Sequence, residues 1–441
     1  MSENIRLIRH SGRSLPYYLV CGVFLIGIFE GALQKWVGFP LSLSVVIRDL
    51  LAVSLIFYAV IYFKFRQMRS LSLVLLIWTI LVILWGGMQS IFMGVPLAVF
   101  GSGIRFWFLY LWFAIAAAVV FSVDDIRKFY KLSLKVGLCI VGLAIVQSLL
   151  PPDNILNVQP NSIDESSIFL LAEGVVRVTG TFTFTLGYTA FIAFFAWVAI
   201  SESLNPLMSR GIASAKSIIL IIALVMAFAV SGSRSSILWG AIFFSIFFLF
   251  HRGEIRGGII AKKIIILAVF FVLAGGAFIF LFPNLVEAYE VRFRTASEHE
   301  DFIGRIVIFF VGEQRVVDNF EMWGHGLGAG TNIGSKFLTG STDGFYLSET
   351  EQGKIIGEMG VLGIFYVFFR ALIVLKIIFW SFLDLKRRID VGLGAAVIFY
   401  LLFLTPVSGQ NSANFIFYIC FMYLLFVYKI TYLACNNKET V

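Results

Sequence analysis

The sequence predicts an all-α protein, a polytopic membrane bundle of about twelve transmembrane helices with one large external loop. Three observations lead there. Hydrophobic residues make up 59% of the 441 positions and charged residues 14%, with a mean hydropathy of +0.93, which is too apolar for a soluble chain of this length. Apolar runs close to the ~20 residues that a spanning helix needs recur along the chain. One long polar stretch, Pro283 to Lys354, interrupts them and is the only part with room for a folded, water-facing element.

The predicted spans lie near 16–37, 45–63, 71–93, 103–121, 131–150, 181–200, 217–231, 236–250, 264–282, 355–376, 391–407 and 415–432. This divides the chain into a bundle of nine helices (1–282), the large loop (283–353) and three closing helices (354–441). The first apolar segment is long, follows Arg6, Arg9 and Arg13, and has no small-residue cleavage site, so it is expected to stay as an anchor. With the N-terminus inside, about twenty lysines and arginines fall on the inner side and about ten outside, which predicts cytoplasmic termini and places the large loop and the loop 151–180 outside. The net charge of +8 is then a topology signal, and no nucleic-acid footprint is expected. Cys21, Cys139, Cys420 and Cys435 show no paired spacing, so neither disulfides nor a metal site is implied.

Taken in order, the polar landmarks begin with Glu30 and Lys35 at the outer end of the first span, either a local pair or part of a polar site. Arg48-Asp49 at the start of the second span leaves the same choice open. Arg105 sits among Phe106, Trp107, Phe108, Tyr110 and Trp112, as a snorkelling anchor in an aromatic belt or as a ligand group. Arg177-Val178-Thr179-Gly180-Thr181 opens the sixth span with hydroxyls that cap free amides or receive an anion. The hairpin tip Ser231-Gly232-Ser233-Arg234-Ser235-Ser236 joins two arms that are short for a bilayer and so sits slightly recessed. Its guanidinium and serines either cap the eighth helix or hold a phosphate there.

Within the large loop, Phe302–Phe320 reads as an interfacial amphipathic helix. The run Gly324-His325-Gly326-Leu327-Gly328-Ala329-Gly330 has no preceding strand, so it is a lid or tight chain reversal and not a nucleotide loop. His299, Arg292, Arg294, Arg305 and Arg315 lie nearby. The loop closes on Glu349 and Glu351, with Gly357, Gly360 and Gly363 following at intervals that let helices approach closely, and Arg370 snorkelling inward beyond them.

These landmarks, in this order, resemble the integral-membrane O-antigen polymerase and O-antigen ligase family. The matching pieces are Glu30 to Trp36, Arg177 to Phe182, Ser231 to Ser235, Arg305 followed by Trp323 to Gly328, and Glu349 to Gly363, over about residues 16–430. The resemblance implies a GT-C-like glycosyltransferase in the bacterial inner membrane with a periplasmic loop. It would polymerise undecaprenyl-diphosphate-linked repeat units of O-antigen, capsule or exopolysaccharide, with inversion and without metal or cofactor. Donor and acceptor glycans, membrane lipid and a chain-length regulator protein are the implied partners. Ligases of this family usually carry a histidine where this chain has Glu349, which favours polymerase over ligase; a flippase of lipid-linked sugars is the rival from another class.

On that reading an acceptor hydroxyl attacks the donor's anomeric carbon as undecaprenyl diphosphate leaves. Fixed donors must meet the growing negative charge, with Arg234 and Arg177 first, Arg105 and Arg305 second, and Ser233 and Ser235 contacting substrate. Glu349 or Glu351 would be the base, and His325 the reserve.

Overall fold

The computed structural model describes residues 14–158, 175–204, 214–250, 257–299, 308, 312–340, 347–348, 350–383, 385–404 and 411–436. Among these the chain is helical, with no strand. The elements are α1 (Leu15–Val37), α2 (Leu41–Ile61), α3 (Arg69–Phe92), α4 (Leu97–Ile104), α5 (Tyr110–Val120), α6 (Val123–Leu149), α7 (Thr185–Leu204), α8 (Ser214–Ala229) and α9 (Arg234–Phe250). Then follow α10 (Gly257–Leu281), α11 (Pro283–His299), α12 (Gln314–Asp318), α13 (Asn332–Thr339), α14 (Glu351–Met359), α15 (Val361–Leu383), α16 (Leu385–Leu404) and α17 (Asn411–Asn436). Helix ends carry the expected signals: Ser14 caps α1 and left-handed Gly38 closes it, while Ser122 and Asp125 form a reciprocal capping box on α6.

Among the described residues, seven helical segments are long and apolar enough to cross a membrane, or eight if the bent pair 268–281 and 283–291 counts as one span. The protein is therefore a multi-pass membrane protein. Three shorter apolar helices, Thr185–Ser201, Ile219–Ala229 and Val391–Phe403, occupy places where the sequence predicts spans.

The helices divide into an inner and an outer set. α7 and α17 are enclosed: from Tyr188 to Ile200 every α7 residue is buried, and Trp197 meets Tyr423 edge-on at 4.7 Å. Glycines receive the large rings, Gly137 against Phe195, Gly394 against Trp197 and Gly27 against Phe415, as expected where bilayer helices associate by close packing. α3, by contrast, exposes Val74, Ile77, Leu84 and Ile91 and faces the apolar solvent.

One predicted span is divided. The stretch 355–376 breaks at Gly360, where φ is 57° and ψ −127°, so that the short α14 precedes the span and the crossing helix begins at Val361. A Cβ at Gly360 would collide with the Met322 and Glu321 carbonyls, so this glycine serves a chain break and close loop contact. Glu349 and Arg305 lie outside the described residues, as do 302–307 and 309–311 of the predicted amphipathic stretch, whose described part carries α12.

Candidate functional site

The polar groups gather around a π turn. Between α4 and α5 the segment Arg105–Leu109 winds as a π-helix, a geometry often found at functional sites. Two of its carbonyls are taken by the last helix: Asn414 donates to Phe106 at 3.2 Å and Tyr418 to Trp107 at 2.9 Å. Its side chains, with Tyr110 just beyond, reach two separate polar clusters.

The first cluster is a buried charge chain. Arg48, with 0% exposure, donates to Glu30 Oε2 at 2.5 Å and to the Tyr110 hydroxyl at 2.5 Å, and Tyr110 in turn donates to Asp49. Asp49 accepts from Arg105 Nε at 2.5 Å, and Arg105 reaches Asn411 Oδ1 at 3.0 Å. Two cations meet two carboxylates, so the chain is neutral, as charge at this depth requires. Arg105 is thus neither a snorkelling anchor nor an open anion ligand, because Asp49 and Asn411 hold it. Glu30 pairs across helices with Arg48, not with Lys35. Lys35 instead donates to Thr179 Oγ1 at 2.9 Å and to the Gly180 carbonyl at 3.0 Å.

These bonds pin the segment after Arg177 to α1. Thr181 donates to the Ile28 carbonyl at 2.6 Å, and Gln147 pairs with both backbone groups of Gly180. The two threonines therefore serve the chain itself, and Arg177 is the half-buried cation beside them. The serine tip is similar: Ser231 donates to the Phe228 carbonyl, Ser233 and Ser235 lie 3.0 Å apart, and Ser233 Oγ faces the Ser236 amide at the start of α9. Arg234, half-buried, is the first residue of α9.

The second cluster fastens the glycine run to the bundle. Gly324, Gly326 and Gly328 have φ of 77°, 117° and 91°, and a Cβ on Gly328 would strike the Val99 carbonyl and the Gly103 amide. The run is a tight reversal and not a free lid. Gly328→Ala is expected to cost about 3 kcal/mol in a thermal unfolding measurement, combining left-handed strain with overpacking, whereas Gly340→Ala, with positive φ but open space around it, costs about 1.

Glu358 sits under this run, in α14 ahead of the span. Its Oε2 accepts from Trp107 Nε1 and its Oε1 from the Gly330 amide, each at 3.0 Å. Burial pushes its carboxyl up to about 7, against the lowering effect of those bonds. Because the folded chain holds this proton above the ordinary value of 4.5, stability is full below about pH 4.5 and falls as pH rises to about 7. The loss is up to ~3 kcal/mol. The melting temperature of wild type should therefore drop between pH 5 and 7.5, and Glu358→Gln should remove that component; an equal drop in both proteins would count against it.

His325 stands on the wall of a cleft of about 260 Å³, lined by Val316, Asn319, Phe320, Glu321, Leu347, Ile356 and Gly357. Its Nε2 is 3.1 Å from the Asn319 carbonyl and its Nδ1 3.6 Å from Glu321. Val316, Phe320 and Ile356 also line an apolar groove of about 520 Å³, which runs along Ile364, Val367, Phe368 and Ala371 of α15. Ile364 and Phe368 are exposed, so the groove borders the lipid-facing side of that helix.

Glu351 is not in the cleft wall: it is buried and 3.8 Å from Arg370, which also donates to the Leu402 carbonyl. Arg370 is thus a buried partner across helices and does not snorkel inward. Gln89, Glu358 and Glu321 were not singled out in the sequence, although a glutamine and a glutamate inside predicted spans are a usable signal. Among the described residues no group of three or more His, Cys, Asp or Glu side chains is placed to hold a metal ion. Comparison with family models, with curated proteins and with solved structures finds no match to this chain.

Proposed function

We propose that this protein is a membrane glycosyltransferase that polymerises polyprenyl-diphosphate-linked oligosaccharide repeat units on the outer face of the bacterial inner membrane. The observation that carries the reading is the joined recess: a cleft of mixed lining that bears His325, Glu321 and Asn319 runs into an apolar groove at the lipid-facing side of α15. A substrate with a sugar head on a long isoprenoid tail matches both halves. Counting the bent pair as one span, the three short apolar helices and α9 are assigned as the further crossings of a twelve-span topology with both termini in the cytoplasm and the loop 283–353 periplasmic.

In this reading His325 is the base. With Nε2–H donating to the Asn319 carbonyl, Nδ1 on the side of Glu321 takes the acceptor hydroxyl's proton, and the Glu321 carboxylate 3.6 Å away steadies the resulting imidazolium. The acceptor oxygen bonds to the donor's anomeric carbon from the opposite face as the bond to the diphosphate breaks, and the electron pair leaves with undecaprenyl diphosphate. Arg234 and Arg177, both half-buried, are assigned to that leaving group, with Arg305 in support. Glu351 is assigned to the loop's footing through Arg370, and Glu349 is the second base candidate.

The test is the glycan profile of cells lacking the protein and complemented with wild type or Arg234→Ala. Single lipid-linked units on the outer face without long polymer support polymerisation. Units trapped on the cytoplasmic face would make the protein a flippase, and long polymer left on the lipid carrier would make it a ligase; either result overturns the proposal.

A further inference from the structure

The run that carries His325 has three glycines in left-handed backbone, and such a segment has little intrinsic preference for one shape. What holds it is polar and comes from two buried side chains on different elements. Gln89 of α3 donates through Nε2 to the Trp323 carbonyl at 2.5 Å and to the Glu358 carbonyl at 2.8 Å, while its Oε1 accepts from the Leu327 amide at 2.9 Å. One amide thus grips the chain on both sides of His325. Glu358 grips the far end through the Gly330 amide, ties it to Trp107, and accepts from the Gly326 amide with its own carbonyl at 3.3 Å. The His325 amide is fixed between them, donating to the Gly357 carbonyl at 2.7 Å.

We propose that Gln89 and Glu358 are positioning residues that clamp the loop from Trp323 to Gly330, so that the His325 imidazole is held on the wall of the cleft. The inference rests on the reading of His325 as the base. Neither residue lines the cleft, so both act through the loop. Gln89 is 1% exposed in a largely apolar helix, and among the described residues its three hydrogen bonds all go to the loop and to Glu358. A leucine there would fill the same space and satisfy none of them, leaving buried loop groups unpaired.

The experiment uses the full chain in lipid nanodiscs and combines hydrogen–deuterium exchange with transfer kinetics on a polyprenyl-diphosphate-linked repeat unit. In Gln89→Leu and Glu358→Ala the amides of 324–331 should exchange about tenfold faster or more than in wild type, with Glu358→Gln between, since it keeps one acceptor. Amides of α5 should not change, which shows that the bundle is intact. Turnover should fall about tenfold with KM for the donor within about threefold, and Glu358→Gln should recover part of it. Unchanged exchange in 324–331 overturns the clamp. A released loop with wild-type turnover overturns the positioning role. If the alanine variant does not fold, the Gln89→Leu and Glu358→Gln proteins decide. Wild-type protein without transfer activity would sink the functional reading instead, and the clamp would then stand or fall on exchange alone.

Discussion

Arg48→Met is expected to destabilise the protein more than any other single change in the bundle. Arg48 has no exposed surface, and its removal strips Glu30 of its ion-pair partner and the Tyr110 hydroxyl of a donor in the same buried space. Breaking one side of a buried pair leaves an uncompensated charge and costs about 3–5 kcal/mol, more than the pair itself contributes. The double variant Glu30→Gln/Arg48→Met removes both charges and should recover a large part of that loss. Thermal unfolding of detergent-solubilised protein, followed by size-exclusion chromatography, measures both. If the single variant were no less stable than the double one, the charge chain would not be acting as a coupled unit.

His325→Ala is the change with the largest expected effect on activity. A general base contributes about 10²–10⁴-fold, so turnover should fall by that much, while KM for the lipid-linked donor changes little because the groove and the arginines are untouched. The imidazole is partly exposed, and among the described residues its side-chain contacts are to the Asn319 carbonyl and Glu321, so stability should drop by no more than about 1 kcal/mol. Glu321→Gln should reduce turnover less, by about tenfold, as it removes the charge facing the imidazolium but leaves the base. Full activity in His325→Ala would move the base elsewhere, with Glu349 the next residue to replace.

The membrane-protein class and the places of the long apolar helices were legible in the sequence, whereas short helices such as α4, α11 and α13 were not. What was legible depends on the length and composition of a local run, and a helix in lipid must satisfy its backbone within that run. The serines around Arg234 were likewise readable as a cap, since capping bonds span only a few residues. Even there the sequence overran one boundary: Gly360 reads as a small residue in a span, and the reason for a break lies in the Met322 carbonyl packed against it.

The site was much less legible. Glu30 had Lys35 close by in sequence, yet it pairs with Arg48 on the next helix, while Lys35 reaches Thr179 and Gly180. Arg105 looked like an interfacial anchor until Asp49 and Asn411 were found beside it, and Glu351 looked available until Arg370 covered it. Gln89 and Glu358 are separated by the whole middle of the chain and meet only because α3, the π turn and α14 pack around the same glycine run. The sequence by itself determined which long segments are helical and apolar, because that is decided by neighbours along the chain. Tertiary structure alone decided which charge neutralises which, because a buried ion takes whatever partner the rotation and packing of other helices bring within hydrogen-bond reach.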